Sequence, residues 1–322
     1  MRAVQISNHG GPEVLESIET ETPTPQGSEI LVRTEFAGIN YIDIYQRSGM
    51  YPMSLPVTLG LEGGGQVVEV GDLVKSFKVG DRISWGWAPG SYAEFVLVSE
   101  EKAVRIPDGI STEVAAASMM QCITAHYLVT SVYKAQPGDT ALVHAAAGGV
   151  GLILCQMLAA KGVTVIGTVS SAEKELLAKA AGATHVIRYD QEEFASAVSR
   201  VTGGKKCNVV YDGVGADTFE GSLQCIEPRG TLALFGAASG PVPPFDLQRL
   251  SSLGSLNITR PTIAHFIQTR EELVWRTGEI FDAIKAGELK IAIAGFYALE
   301  DTAQAHTDIQ SRRTSGKLLI RV

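Results

Sequence analysis

The stretch from Val143 to Gly151, VHAAAGGVG, constrains the fold more than any other part of the chain. A β-branched run, Thr140 to His144, stops there among small residues, and an apolar helical segment, Val150 to Lys161, follows at once. Glycines let a backbone turn tightly and approach a pyrophosphate, and the free N–H groups at a helix start favour phosphate oxygens. The pattern predicts a phosphate-binding turn at the end of a strand.

A second strand, Val163 to Val169, is expected after Gly162 ends the helix. The order strand, glycine turn, helix, strand is the context in which a glycine pattern indicates a dinucleotide site. The G-x-G-x-x-G spelling is absent because Ala146 to Gly151 carries its glycines in a shifted pattern, so a purely structural turn is the alternative. Four residues of the turn are predicted to contact the cofactor: Ala147, Gly148, Gly149 and Val150.

The end of the second strand indicates which dinucleotide is bound. NAD-specific folds place an Asp or Glu about 20 residues past the first glycine, where it binds the ribose hydroxyls and would repel a 2′-phosphate. This chain has Thr168-Val-Ser-Ser171 there, followed by Lys174, and Arg188 and Tyr189 end the next predicted strand, His185 to Tyr189. The pattern favours NADPH. The alternative is that Ser170 and Glu173 form a capping box and that Lys174 is merely solvated.

Composition limits which partners the protein can bind and indicates its cellular location. The chain has 322 residues and a formal net charge of −8, with no block of Lys or Arg, so nucleic-acid binding is not expected. Neither a membrane-spanning apolar run nor a signal peptide is recognisable, so we expect a cytoplasmic protein without membrane contact. Four scattered cysteines, with no Cys-x-x-Cys pair, indicate neither disulfides nor a zinc knuckle.

The order of the predicted elements indicates two domains. Strand-like runs separated by glycine and proline fill the first part: Ala3 to Ile6, Glu29 to Ile39, Gly64 to Val70, Arg82 to Trp85 and Ser91 to Val98. A helical region, Ser111 to Lys134, leads into an alternation of short strands and helices that continues through Asn208 to Asp212, Thr231 to Phe235 and Ser255 to Thr259. The β-like C-terminus, Gly316 to Val322, is expected to return to the first domain. We therefore assign residues 1–120 and 263–322 to one discontinuous domain and 121–262 to the other.

Several landmarks occur together along nearly the whole chain: Gly38-Ile-Asn-Tyr-Ile-Asp43, Arg47-Ser-Gly-Met-Tyr51, Gly60-Leu-Glu-Gly63, Val79-Gly-Asp-Arg82, His144-Ala-Ala-Ala-Gly-Gly-Val-Gly151 and Val210-Tyr-Asp-Gly-Val-Gly215. As a set they resemble the zinc-free, zeta-crystallin-like quinone oxidoreductase branch of the medium-chain dehydrogenase/reductase superfamily. The resemblance implies a Rossmann-type doubly wound parallel sheet domain that binds NADPH, and a GroES-like β-barrel catalytic domain.

The same resemblance indicates whether the chain can bind zinc. Asn40, Leu61 and Gln121 stand where the zinc alcohol dehydrogenases of the superfamily have their ligands, and these side chains lack the thiolate and imidazole donors of a tetrahedral site. Glu62 remains, for which a structural hydrogen bond is expected. The four-cysteine structural lobe is also missing, since Gly86 to Ser91 closes that region in a short turn. We predict no bound metal and, with Ile42 replacing the proton-relay hydroxyl, no alcohol oxidation.

The resemblance implies zinc-independent reduction of quinones by NADPH, in a cleft between the two domains. The expected catalytic residues are Asn40, as a donor to a developing oxyanion, and Tyr45 and Tyr51, as aromatic surfaces for a flat acceptor. One alternative is an NADPH-dependent enone or alkenal double-bond reductase. Another is a non-catalytic NADPH-binding protein.

Further cofactor contacts are expected from the family placement, and they are spread along the chain: Asn40, Thr124, Ser170, Lys174, Tyr189, Gly213, Val214, Phe235, Gly236 and Arg312. Lys174, Tyr189 and Arg312 are expected around the 2′-phosphate. The resemblance also implies a homodimer, with the strand Ser255 to Thr259 as its expected edge. The six histidines have no nucleophile motif or metal-spaced partner beside them and are expected to be structural.

Overall fold

The computed structural model describes residues 1–322, which divide into two compact units. The first unit contains Met1–Ile123 and Ile267–Val322, and the second contains Thr124–Phe266. The first is therefore assembled from two separate stretches of the chain. The second is one continuous segment.

The strands are β1 Arg2–Ile6, β2 Glu16–Glu19, β3 Glu29–Ile39, β4 Val57–Thr58, β5 Glu62–Val70, β6 Arg82–Gly86, β7 Phe95–Ser99, β8 Ala103–Arg105, β9 Thr140–Val143, β10 Thr164–Val169, β11 His185–Arg188, β12 Cys207–Asp212, β13 Ile226–Leu234, β14 Asn257–Thr259, β15 Ile293–Ala298 and β16 Lys317–Arg321. The α-helices are α1 Tyr41–Arg47, α2 Thr112–Tyr127, α3 Gly149–Ala160, α4 Ala172–Ala180, α5 Phe194–Val201, α6 Phe219–Gln224, α7 Gln248–Ser252, α8 Arg270–Ala286 and α9 Thr302–Gln310. No helix is both long and apolar enough to cross a membrane.

The second unit is built on a six-stranded parallel sheet with the order β11-β10-β9-β12-β13-β14. Numbered within the unit this is 3-2-1-4-5-6, the doubly wound order in which ligands bind where the strand order reverses. The reversal lies between β9 and β12, whose carboxyl ends are Val143 and Asp212. Apolar residues of the strands form the core with α5 and α6. The predicted Rossmann-type domain is confirmed.

The first unit contains two sheets. Three strands pair in the order β2-β1-β4, and a second sheet runs β15-β16-β3-β5-β6-β8, with β7 also pairing β3. The C-terminal strand β16 pairs antiparallel with β3, Leu318 opposite Ile39, so the predicted return of the C-terminus to the first part of the chain is confirmed. This unit is the predicted GroES-like β domain.

Local structure differs from the sequence interpretation in several places. Strand β13 begins at Ile226 and not at the predicted Thr231. Helix α1 was not anticipated within the strand-rich part. Strand β7 begins only at Phe95, and before it Ala93 forms an isolated bridge with Ala3 of β1. The alternative, a capping box formed by Ser170 and Glu173, is wrong. Ser171, whose backbone is extended, caps α4 instead, and its hydroxyl accepts a hydrogen bond from the Lys174 N–H at 3.3 Å.

All four cysteines are buried free thiols, as the absence of any paired spacing indicated. Burial is the largest cause that raises the pKa of each: Cys155 and Cys225 reach about 12, and Cys122 and Cys207 shift in the same direction. A thiol with so high a pKa stays protonated and unreactive at neutral pH. The cysteines therefore act as small apolar residues.

Candidate active site

The glycine turn follows β9 at the carboxyl edge of the parallel sheet. Ala145 has a positive φ of 49°, and its carbonyl accepts the Gly148 N–H at 2.8 Å, which closes the turn. Helix α3 begins at Gly149, and its first N–H bonded back into the helix is that of Leu152, donated to the Gly148 carbonyl at 2.9 Å. The preceding N–H groups therefore stand at the positive end of the helix dipole, where they can bind phosphate oxygens.

Close packing at this turn requires small residues. A Cβ at position 151 would lie 2.3 Å from the Ala145 carbonyl oxygen, and one at position 167, on β10, would lie 2.7 Å from the Ala146 Cβ. At position 148 the nearest atom would be 3.1 Å away. The tightest requirement therefore falls on Gly151, which brings the helix against the turn.

The ends of β10 and β11 bring together the residues predicted to surround the ribose 2′-phosphate in the second unit, Ser170, Lys174 and Tyr189. The sheet edge at which they lie is called the ribose edge. Val169 pairs with Arg188, and the Tyr189 N–H donates to the Val169 carbonyl at 3.1 Å, so Ser170 and Tyr189 leave the same sheet edge. Lys174 lies in the first turn of α4, and its partial burial lowers the pKa of its ammonium. All three belong to the second unit.

Arg188 and Asp190 form an ion pair beside this edge. The guanidinium donates to the Asp190 carboxylate at 2.7 and 3.2 Å. Hydrogen bonding to Asp190 is the largest cause that raises the pKa of Arg188, and the same bond lowers the pKa of Asp190. The Asp190 carboxylate is thus neutralised by a neighbouring cation, which reduces the repulsion it would exert on a phosphate.

Two further loops at the same sheet edge contain four more predicted cofactor residues. Gly213 and Val214 follow β12, and Phe235 and Gly236 follow β13. The Phe235 N–H donates to the Asp212 carbonyl at 2.8 Å, and a Cβ at position 213 would lie 2.9 Å from the Phe235 ring. The structure therefore brings these four residues together.

In the first unit, Asn40 lies in a buried polar cluster. Its side-chain Nδ2 donates to Glu62 Oε2 at 2.8 Å and more weakly to the Gly38 carbonyl at 3.4 Å, and its Oδ1 accepts from Lys317 Nζ at 2.8 Å. Glu62 also accepts from the Lys317 ammonium and, at 2.6 Å, from the Met120 N–H. The structural hydrogen bond expected of Glu62 is confirmed, and Lys317 is a site residue that sequence reasoning missed.

The donor set here does not fit a zinc ion. The Asn40 amide oxygen is already bound by an ammonium, Leu61 offers no donor atom, and Gln121 offers only an amide. No set of three or more His, Cys, Asp or Glu residues in the chain is arranged to hold a metal. The cation that balances the Glu62 carboxylate is the Lys317 side chain, which is 0% exposed, as is Glu62.

The predicted tyrosines are adjacent. The Tyr45 and Tyr51 ring centroids lie 5.2 Å apart, and the Tyr51 N–H donates to the Tyr45 carbonyl at 3.0 Å. Tyr45 is 7% exposed and Tyr51 39%. Thr124 is the first residue of the second unit, whereas Arg312 belongs to the first, so their joint approach to a cofactor stays a prediction.

A chain of buried hydrogen bonds runs from Asn40 to His306, in the middle of α9. Asp43 Oδ2 accepts from the Asn40 backbone N–H and the Tyr92 hydroxyl, both at 2.7 Å, and Tyr92 Oη lies 3.2 Å from His306 Nε2. Burial is the largest cause that raises the pKa of Asp43 to about 7 and lowers that of His306 to about 3. Arg47 Nη1 lies 3.1 Å from His306 Nδ1. The neutral His306 therefore accepts a hydrogen bond from Arg47 and donates one to Tyr92.

The second unit has a parallel sheet of order 3-2-1-4-5-6 with a glycine turn. The first is a separate β unit whose polar residues carry no metal donor set. Together these features define a dehydrogenase or reductase of the medium-chain type. Two family models match the chain and agree with this class. Residues 26–108 match the alcohol dehydrogenase GroES-like domain, and residues 149–276 match the zinc-binding dehydrogenase family.

Individual relatives narrow the class. A quinone oxidoreductase of Pseudomonas aeruginosa is 47% identical over 321 residues, which cover 99% of each chain. A 2-haloacrylate reductase of a Burkholderia species is 37% identical over 326 residues, 99% of this chain and 98% of its own. A solved structure of Escherichia coli quinone oxidoreductase in complex with NADPH is 43% identical, with a TM-score of 0.98 and complete coverage of both chains. The chain belongs to the quinone oxidoreductase family of the medium-chain dehydrogenase/reductase superfamily.

Proposed function

We propose that the protein reduces quinones with NADPH and without zinc. NADPH-dependent oxidoreduction is supported by the quinone oxidoreductase relatives and by the NADPH complex of the Escherichia coli protein. The family membership covers both the nucleotide-binding and the GroES-like parts of the chain. The choice of a quinone as acceptor and the independence from metal are proposed from residues of the first unit.

The observation that carries the proposal is the Lys317 ammonium bound to Asn40 and Glu62. A buried ammonium at 2.8 Å from the Asn40 oxygen occupies the amide's acceptor atom, so that atom is not offered to a metal. Without a Lewis acid, a substrate must already be electron-poor at the atom that accepts hydride. Quinones meet this requirement, whereas an unactivated ketone needs its carbonyl polarised before it can accept hydride.

The residues proposed to hold the cofactor belong mainly to the second unit. The turn Ala147 to Val150 would hold the pyrophosphate on backbone N–H groups, and Ser170, Lys174 and Tyr189 would surround the 2′-phosphate. Gly213, Val214, Phe235 and Gly236 would contact the remaining edge, and Asn40, Thr124 and Arg312 complete the proposed set. When bound, NADPH supplies the reducing equivalents.

The residues proposed to act on the acceptor belong to the first unit. Lys317 fixes which way the Asn40 amide points, because its ammonium can bind only the oxygen end. The N–H that faces the Gly38 carbonyl at 3.4 Å makes the weaker bond, so it is the donor proposed to move onto a developing oxyanion. The adjacent Tyr45 and Tyr51 rings would pack on a flat acceptor.

A second candidate function is reduction of an activated carbon–carbon double bond. The 2-haloacrylate reductase at 37% identity supports it, since a haloacrylate is an alkene conjugated to a carboxylate. Such a reaction needs a proton at the second carbon.

The homodimer stays a prediction, and the outer strand β14 is its proposed edge. The cytoplasmic location also stays a prediction.

The test compares acceptors with chelator present. NADPH oxidation is followed with para-benzoquinone, phenanthrenequinone, an enone and 2-chloroacrylate in parallel, and then repeated with NADH. Chelator-resistant turnover of quinones with NADPH is expected. Turnover of alkenes alone would transfer the assignment to the second candidate, and NADPH binding without turnover of any acceptor would indicate a non-catalytic binding protein.

Asn40→Ala tests the acceptor side. We expect a lower kcat for quinones, about tenfold or more if the amide stabilises an oxyanion. Asn8→Ala, which removes the same group at an exposed position of the same unit, is the matched control. An unchanged kcat in folded Asn40→Ala protein would remove this residue from the mechanism.

A further inference from the structure

Asp212 ends β12 and is completely buried. Its Oδ1 accepts the backbone N–H of Val214 at 2.8 Å and that of Gly215 at 3.1 Å. The Thr218 hydroxyl lies 2.9 Å from Oδ1 and 2.7 Å from Oδ2, and the Ser222 hydroxyl donates to Oδ2 at 2.9 Å. The carboxylate is thus enclosed by four neutral donors, two from the following loop and two from the region of α6.

The Ser222 hydroxyl links this carboxylate to His144. Ser222 Oγ lies 3.0 Å from His144 Nε2, and Thr168 Oγ1 lies 3.0 Å from His144 Nδ1. Because Ser222 has one hydroxyl hydrogen and gives it to Asp212, His144 must donate from Nε2 and accept from Thr168 at Nδ1. Burial is the largest cause that lowers the pKa of His144, which keeps the ring neutral.

These side chains join the ends of three neighbouring strands. Gly167 pairs with Val143, and the His144 N–H donates to the Tyr211 carbonyl at 3.0 Å, so Thr168, His144 and Asp212 follow one another across β10, β9 and β12. This is the point of the sheet where the strand order reverses. The network therefore lies at the edge where a doubly wound sheet binds its ligand.

The loop held by Asp212 is fixed from its other side as well. The Gly213 carbonyl accepts the Ala238 N–H at 3.2 Å, and the Val214 carbonyl accepts the Ser239 N–H at 2.8 Å. Gly215 has a φ of 95°, a left-handed conformation in which its N–H turns back toward the carboxylate. The Asp212 carboxylate and the N–H groups of Ala238 and Ser239 together determine the path of the backbone that carries Gly213 and Val214.

We propose that Asp212 is a positioning residue for NADPH: its carboxylate, held by Thr218 and Ser222, keeps the 213–215 loop in the conformation that receives the cofactor. The inference rests on the proposed NADPH binding. Asp212 itself needs no contact with the cofactor. Without the carboxylate, two loop N–H groups lose their acceptor and the loop relaxes, so binding weakens before catalysis does.

The experiment measures NADPH binding to the full chain by calorimetric titration without acceptor, alongside steady-state kinetics and thermal unfolding. Asp212→Asn presents an NH2 group to the donors and removes the charge. Thr218→Val removes one hydroxyl at nearly constant volume, and Thr218→Ser restores it. Glu220→Gln, on α6 and paired with Arg249 at the surface, controls for the loss of a negative charge.

Hydrogen bonds to charged groups are strong enough that Asp212→Asn should raise the Kd for NADPH about tenfold or more, and Thr218→Val by a smaller factor. Thr218→Ser and Glu220→Gln should bind as the wild type does, and kcat at saturating NADPH should stay within about twofold in all variants. A lower melting temperature with an unchanged Kd in both Asp212→Asn and Thr218→Val would overturn the inference. Absence of NADPH binding by the wild type would instead overturn the proposed function on which it rests.

Discussion

Lys317 Nζ lies 2.8 Å from Asn40 Oδ1, and Lys317 is completely buried. The ammonium also binds the Glu62 carboxylate and the Ile39 carbonyl, the latter at 3.2 Å, so each of its three hydrogens has an acceptor. A buried ion pair of this kind is costly to break from one side, because the remaining charge loses its partner in a medium of low dielectric constant.

Lys317→Met should therefore lower the free energy of unfolding by about 3–5 kcal/mol, since Glu62 is left unpaired. Denaturant unfolding measures this, with Lys285→Met at an exposed position of α8 as the control. The double variant Lys317→Met/Glu62→Gln should recover part of the loss, because it also removes the orphaned charge. A cost below about 1 kcal/mol for Lys317→Met would contradict the assigned role of the pair.

The sequence predicted the elements with strong local patterns. Strand β3 has the predicted bounds, Glu29–Ile39, because a long apolar run between turn residues is typical of a buried strand. The glycine turn and α3 were recognisable from small residues placed between a strand and an apolar helix. Helix α1 was missed because its seven residues follow β3 directly and are too few to show a helical period.

The polar clusters could not be predicted in the same way. Lys317 and Glu62 are 255 positions apart, and they meet because β16 and β5 both pair with β3. Asp212 did carry a signal, as an acid that ends a buried strand directly before a glycine-rich loop. Its partners Thr218 and Ser222 are ordinary helix-start and helix residues in the sequence, so their convergence depends on the turn after β12.

Lys174→Ala should raise the KM for NADPH about tenfold and leave that for NADH nearly unchanged, because only NADPH has a phosphate for the ammonium to bind. Lys179→Ala is the matched control, since Lys179 lies on the same helix and pairs with Glu175 at 2.6 Å. Steady-state kinetics with NADPH and with NADH measures the two KM values. Equal increases in the two KM values would refute the assignment of Lys174 to the 2′-phosphate.

Asp43 should make stability depend on pH. Its pKa is raised from 3.8 to about 7, chiefly by burial, so the folded state holds the proton more tightly than the unfolded chain. The resulting contribution to stability is complete below the unfolded pKa and is lost as the pH rises toward 7. His306, whose pKa is lowered to about 3, contributes in the opposite sense, with stability lost as the pH falls from 6.5.

Asp43→Asn separates the effects of Asp43 and His306 on stability, because it removes the titration of Asp43 and leaves that of His306. The variant should be more destabilised relative to the wild type at pH ~5 than at pH ~8, since the wild type alone loses the Asp43 contribution in between. Urea unfolding midpoints at several pH values measure the difference. Asp108→Asn, an exposed substitution in the same unit, should show none of this dependence, and a difference that grows with pH for Asp43→Asn would disprove the argument.

Gly151 and Gly278 both lie within helices, and they should respond oppositely to alanine. At position 151 the new Cβ would lie 2.3 Å from the Ala145 carbonyl oxygen and 2.9 Å from the Ala146 Cα, so the backbone of the turn must shift. Such overpacking costs about 1–3 kcal/mol. Because the shift moves the N–H groups proposed to hold the pyrophosphate, Gly151→Ala should also weaken NADPH binding.

At position 278, inside α8, a Cβ would meet no atom within 4 Å, so Gly278→Ala gains helix propensity without strain. It should stabilise the protein by about 0.5–1 kcal/mol and leave the Kd for NADPH unchanged. Calorimetric titration and denaturant unfolding of both variants test the pair. Tight NADPH binding by Gly151→Ala would show that the cofactor does not depend on the close approach of α3 to the turn, and the pyrophosphate assignment would then fail.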